Sequence, residues 1–190
     1  MFARTPRLLL RPGWPEDAAA LHSALADEAI VRNLAQVPWP YSMDDAAAFL
    51  AREHDPLRPS FLVFKRTRGM PHLVGGCGIS AQSDGTLELG YWIARPYWGL
   101  GFATEAASAV MQIARASGLR NVACSHFIDN PASARVMRKL GFRPVGQPEP
   151  RFSRGRGRAD LCQFYELAEE SDMPEDVTME LYGDREPLAA

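Results

Sequence analysis

The segment YWGLGFATEA, residues 97–106, constrains the fold more than any other stretch of this chain. It joins a run that alternates like a strand, TLELGYWIA (86–94), to one with helical spacing, ATEAASAVMQIARAS (103–117). Gly99 and Gly101 allow a tight backbone turn with no Cβ in the way. The helix that follows opens with unpaired N–H groups and the positive end of its dipole. Such a loop suits phosphate oxygens. A P-loop is excluded, because Phe102 and Ala103 stand where lysine and a hydroxyl residue are needed. A dinucleotide fingerprint is poorly met: the third small position is Thr104, and no acid lies near Leu119 to Val122.

Around this loop the elements alternate. RLLLRP (7–12) reads as a strand and PEDAAALHSALAD (15–27) as a helix with Ala18, Leu21 and Leu25 on one face. Ser42 is a plausible N-cap, with Asp45 in the capping-box position, for a helix from Met43 to about His54. SFLVFKR (60–66) and HLVGGCGIS (72–80) read as a hairpin, and NVACSHF (121–127) as a further strand. In DNPASARVMRKLGF, Asn130 caps a helix with Pro131 at its first position and Gly141 past its end; Ala132, Val136 and Leu140 form the expected buried stripe. DLCQFYELA (160–168) alternates like a last strand. Hairpins followed by βαβ elements imply a mixed sheet with helices on both faces.

Composition narrows the classes. The 190 residues, 46% hydrophobic, suit one globular domain. No apolar run is long enough to span a bilayer. The beginning, MFARTPRLLLRPGW, lacks a signal-peptide hydrophobic region. Cys77, Cys124 and Cys162 are scattered without metal-ligand spacing, so we expect a cytoplasmic protein with no metal site. Net charge is −2, yet residues 166–190 carry nine acids and one base. That end reads as an acidic tail (169–190) after a domain of residues 1–168. It is expected to be poorly ordered and dispensable, with at most a short helix near 175–182. RFSRGRGR (151–158) reads either as a solvated hairpin loop or as an anion patch. The dispersed basic residues do not suggest nucleic-acid binding.

LGYWIARPYWGLGFATEA, followed some 30 residues later by DNPASARVMRKLGF, resembles the GNAT superfamily of N-acetyltransferases, most of all the branch that acetylates ribosomal-protein N-termini. The resemblance spans nearly all of residues 7–168. It implies an α/β (α+β) acyl-CoA N-acyltransferase fold, with a mostly antiparallel sheet splayed at its centre. The family's pyrophosphate motif begins with glutamine or arginine; here it reads Trp98, Gly99, Leu100, Gly101, Phe102, Ala103. Because backbone N–H groups do the binding, the tryptophan is a tolerable departure. The resemblance implies acetyl-CoA as donor, with pantetheine along the strand edge near Trp92, Ile93 and Ala94. The pyrophosphate is expected on the amides of Gly99 to Thr104. Thr104 is either a further donor or a first-turn residue satisfying itself. Asn130, a helix cap, is also implied to reach the pantetheine or the thioester side.

Amide formation needs a proton taken from the amine, a polarised thioester carbonyl and a protonated thiolate. Where many members of the superfamily carry a tyrosine general acid, this chain has Met137. Ser133 is the nearest hydroxyl candidate, against simple surface packing. Glu88 is the candidate base, against a plain strand carboxylate, and His126 reads as structural. Trp39 and Tyr41 either wall an acceptor slot or plug the core. The acceptor is expected to be a primary amine: a protein N-terminus, a peptide or a small amine. A catalytically weak acyl-CoA-binding sensor is the alternative. A monomer or a homodimer is expected.

Overall fold

The computed structural model describes residues 1–53, 55, 57–167 and 177–182. Among the described residues nine strands form one sheet in the order β7-β8-β6-β5-β4-β3-β2-β1-β9. They are β1 (Phe2–Arg4), β2 (Leu8–Arg11), β3 (Ser60–Lys65), β4 (His72–Ala81), β5 (Leu87–Ile93), β6 (Val122–Phe127), β7 (Phe142–Ser153), β8 (Arg158–Leu167) and β9 (Glu180–Tyr182). Every neighbouring pair is antiparallel except β5 with β6. The helices are α1 (Ala18–Leu25), α2 (Glu28–Val31), α3 (Met43–Leu50), α4 (Phe102–Ala116) and α5 (Pro131–Lys139).

Strand periodicity sorts the apolar side chains into two cores. On β3, Phe61 and Val63 join Leu8, Leu10 and α4, while Leu62 and Phe64 turn to the opposite face under α1 and α3. Helices therefore cover both faces, α4 and α5 on one and α1 to α3 on the other. The longest helix, α4, buries Ala106, Ala109, Val110 and Ile113 against the sheet. Its small residues let it lie close over β4 and β5. All three cysteines are free and buried, as small apolar side chains commonly are.

The capping box at α3 forms as its sequence suggests: the Asp45 amide donates to Ser42 Oγ at 3.1 Å, and the Ser42 amide to the Asp45 carboxylate at 2.9 Å. The helix itself ends at Leu50, short of the expected His54, which lies outside the described residues. Residues 15–17 form a 3-10 turn before α1.

Three expectations are corrected. The buried stripe of α5 is Ala134, Met137 and Leu140, not Ala132, Val136 and Leu140; Ala132 is exposed and Val136 half-buried. RFSRGRGR is not one loop: residues 151–153 end β7, 154–157 turn, and Arg158 begins β8. Three of its arginines meet carboxylates, Arg151 on Glu88, Arg156 on Asp129 and Asp160, and Arg158 on Asp160. Finally, the helix expected near 175–182 is absent from its described part. Residues 177–179 are neither helix nor strand, and 180–182 pair as β9 on β1, Phe2 opposite Tyr182. Met179 packs against the core under α4. Residues 168–176 and 183–190 of the acidic end lie outside the described residues.

Candidate active site

Strand β5 pairs with β4 along its whole length, but with β6 only at Leu87, Glu88 and Leu89. From Gly90 onward its second edge is free. Backbone direction alternates along a strand. The Ala94 amide donates to the Val74 carbonyl across β4 at 2.8 Å. Trp92 and Gly90, two and four residues back, therefore also face β4, whereas Tyr91 and Ile93 turn their N–H and C=O groups into the gap. This refines the expected edge: of Trp92, Ile93 and Ala94, only Ile93 offers its main chain, and Tyr91 joins it. The Ile93 carbonyl already accepts from the Trp98 indole Nε1 at 2.6 Å. Trp98 thus ties the glycine loop to the free edge.

The loop itself is held from below. Gly99 and Gly101 adopt φ of 76° and 81°, the left-handed region that disfavours a Cβ. Gly101 caps α4 with no side-chain partner, so the first amides of the helix, at Phe102, Ala103 and Thr104, remain open to a ligand. Buried Glu105, one turn in, accepts from Thr5 Oγ1 at 2.6 Å, from the Arg7 amide at 3.1 Å and from Arg7 Nε at 2.6 Å. Arg7 also donates to the Leu100 carbonyl at 2.8 Å. An uncapped helix start and two left-handed glycines, with a guanidinium behind them, fit a pyrophosphate. Among the candidates, Leu100 is half exposed and contributes its carbonyl to Arg7 rather than its side chain to the cleft.

A cleft of about 870 Å³ runs through the gap from the α1–α3 face to the α4–α5 face. Glu88 and Trp92 line it on the first side, Ser133 and Asn130 on the second. Tyr41 also lines it while packing in the core with Leu21 and Leu25, and burial pushes its phenol up to about 12. Tyr41 therefore borders the cleft and plugs the core at once. Trp39, preceding a cis Pro40, is exposed and does not line the cleft. The β7–β8 hairpin braces the cleft wall on the α1–α3 face. Ser153 Oγ donates to the Leu34 carbonyl at 2.9 Å, and the Arg154 amide to that of Ala35 at 2.9 Å.

Glu88 is not a free carboxylate. Arg151 grips it with both terminal nitrogens, at 2.5 and 2.7 Å, and Ser125 Oγ donates to it at 2.6 Å. The Glu88 hydrogen bond, first among several causes, holds the Arg151 guanidinium above its ordinary pKa. On the other side of the gap, Ser133 Oγ lies 2.7 Å from the Tyr91 hydroxyl. The Asn130 side chain accepts from the Ser133 amide at 3.3 Å, so it caps α5 while bordering the cleft. Met137, at the position where the resemblance implies an acid, is buried in the core. His126 donates or accepts only to its own structure, the Phe127 carbonyl at 2.7 Å and the Tyr165 hydroxyl at 3.1 Å. Among the described residues no group of three His, Cys, Asp or Glu side chains could hold a metal ion. No described helix is long and apolar enough to cross a membrane.

Sequence reasoning did not find Arg7, Glu105, Tyr91 or Arg151. Tyr91 carried a signal, since it alternates with Leu89 and Ile93 towards α4 and α5. The others act across 63 to 100 residues of chain and left none.

The family model of the acetyltransferase (GNAT) domain matches residues 7–143. The uncharacterised N-acetyltransferase YoaA of Bacillus subtilis is 31% identical over 150 residues, 75% of this chain and 82% of that protein. A GNAT-family acetyltransferase from Bacillus anthracis superposes with a TM-score of 0.72 at 24% identity, covering 88% of this chain and 98% of that one. RimL, a ribosomal-protein alpha-N-acetyltransferase solved in complex with coenzyme A, gives 0.67 at 22% identity, over 85% and 94%. With the splayed sheet and the glycine loop at the head of α4, these matches lead to one conclusion: the chain belongs to the GNAT family and is an acetyl-CoA-dependent acetyltransferase.

Proposed function

We propose that this acetyltransferase transfers the acetyl group to a primary amine, a peptide N-terminus or a small amine, by direct attack on the thioester. The observation that carries the reading is the cleft passing through the sheet between β5 and β6. It gives donor and acceptor separate entrances and one meeting point. Acetyl-CoA supplies the acetyl group and a thiol leaving group.

The amides at the head of α4, from Gly101 to Thr104, hold the pyrophosphate. The Ile93 and Tyr91 main chain takes the pantetheine, and one of their N–H groups polarises the thioester carbonyl. The amine enters from the α1–α3 face past Tyr41. Glu88, already accepting from Arg151 and Ser125, orients the ammonium and a water that carries its proton away. Ser133, across the gap, protonates the departing sulfur. Opposite placement of Glu88 and Ser133 matches the opposite directions of proton flow. The RimL neighbour, described as acting on a protein alpha-N position, favours a peptide acceptor.

The test is acetylation of an N-terminal peptide library and of a panel of small amines by the purified protein, read by mass spectrometry together with CoA release. Acetylated primary amines are expected. CoA binding without transfer to any of them would favour an acyl-CoA sensor instead.

A further inference from the structure

We propose that the Tyr91 hydroxyl is a positioning residue for acid catalysis: it donates to Ser133 Oγ and frees the serine proton to point at the leaving sulfur. The inference rests on the role of Ser133 given above and deepens it.

The geometry comes from two elements with little else to do there. Tyr91 is the first residue of β5 beyond its pairing with β6 whose backbone turns into the gap, and its side chain rises on the α5 face. Its hydroxyl lies 2.7 Å from Ser133 Oγ and 3.2 Å from the Ser133 carbonyl. Ser133 is held in the first turn of α5, where its backbone amide donates a hydrogen bond to Asn130 Oδ1. A phenol and an alcohol at this distance must choose who donates. Burial raises the Tyr91 phenol above its ordinary pKa, against the lowering effect of the Ser133 contact, so it keeps its proton throughout. A phenol is also the stronger donor of the two. With Tyr91 donating, the serine hydrogen is free to face the cleft. Negative charge developing on Oγ is then met by a fixed donor in a site of low dielectric. The phenol supplies beside Ser133 a hydrogen-bond donor that the Met137 thioether cannot.

The protons balance. The amine nitrogen forms the C–N bond and the C–S bond breaks, its electron pair leaving on sulfur. The Ser133 Oγ–H proton goes to that sulfur. An ammonium sheds two protons on becoming an amide: one returns through water to Ser133, and one leaves to solvent. Tyr91 gives up none.

CoA release is followed with acetyl-CoA and Ala- and Ser-initiated hexapeptides, with spermidine as a second acceptor. Tyr91→Phe keeps the ring and its packing. It should lower kcat by about tenfold or more while acetyl-CoA affinity by calorimetry and Tm stay near wild type. Ser133→Ala should lower kcat at least as far. The double variant should be no slower than Ser133→Ala alone, because a donor with nothing to donate to adds nothing. A role in packing alone would give losses that multiply. As a second probe, 3-fluorotyrosine at 91, a stronger donor of nearly the same shape, should keep kcat at or above wild type, opposite to Tyr91→Phe. Wild-type kcat in Tyr91→Phe, or multiplicative losses in the double variant, would overturn the inference while leaving Ser133 as acid. Wild-type kcat in Ser133→Ala, or no wild-type turnover on any acceptor, would instead overturn the reading beneath it.

Discussion

Arg7 and Glu105 lie 98 residues apart in the chain and 2.6 Å apart in space. Through that pair the loop between β1 and β2 grips the first turn of α4, where the glycine loop ends. Glu105 accepts from three donors of that loop, two side-chain groups and one amide. Glu105→Ala leaves those buried or half-buried donors without a partner, a cost of about 1–3 kcal/mol. For a domain of this size Tm should fall by roughly 2–10 °C. Coenzyme affinity should fall with it, because the glycine loop loses its footing. Arg7→Ala, at a half-exposed guanidinium, should cost less stability. Calorimetric melting and CoA titration of both variants check this ordering.

Gly101 has left-handed φ, and the nearest atom to a Cβ built there is the Arg7 guanidinium at 3.4 Å. Gly101→Val combines backbone strain with a side chain over the open amides. The expected result is loss of measurable CoA binding by calorimetry from a protein that still shows a cooperative melt. Unchanged affinity would move the pyrophosphate elsewhere.

Acid stability should depend on Asp17. Its carboxylate takes two hydrogen bonds from Arg11, at 2.7 and 2.8 Å, and one from the Trp14 amide at 2.8 Å. Burial pushes its pKa up, but the Arg11 and Trp14 hydrogen bonds outweigh burial and leave it below the usual carboxylate value. A depressed folded pKa stabilises the fold at pH above the unfolded value of about 3.9 and ceases to do so as pH drops through the folded value. Urea midpoints should therefore separate wild type from Asp17→Asn at pH 7. The separation should close as pH is lowered below about 4.

Because the acidic end supplies β9, we expect it not to be wholly dispensable. Truncation after Glu170 removes β9, uncovers the β1 edge and strips Met179 from the core. We expect a lower Tm, by a few degrees, and a protein that still binds CoA. An unchanged melt would mean that the three-residue pairing adds nothing in solution.

What the sequence disclosed and what it hid follow a physical division. The glycine loop, the Asn130 cap and the Ser42 box were legible because each is settled within a few residues by backbone conformation. The β3–β4 hairpin was legible because the alternation of β3 faces two cores. Strand β7 escaped notice: it lies at the sheet edge, carries Pro144, Pro148 and Pro150, and is exposed along most of its length, so no periodicity marks it. The α5 stripe was misread by a third of a turn, because α5 begins over a gap in the sheet and turns Ser133 and Val136 towards the cleft. Glu88 looked like a free base only because its partner, Arg151, stands 63 residues away on a strand with no signal.

The parallel contact of β5 with β6 also divides the molecule. On one side stand six strands from β9 to β5, and on the other three from β6 to β7, each set antiparallel within itself. Among the described strands only three residue pairs of main chain stitch the two sets together, and the chain crosses between them through α4 and again between β8 and β9. Cooperativity is therefore weakest across this seam, and amide exchange by sub-global opening should run fastest along it. A ligand spanning the seam joins what the backbone leaves nearly separate, so it acts as a fastener of the two halves as well as a reactant.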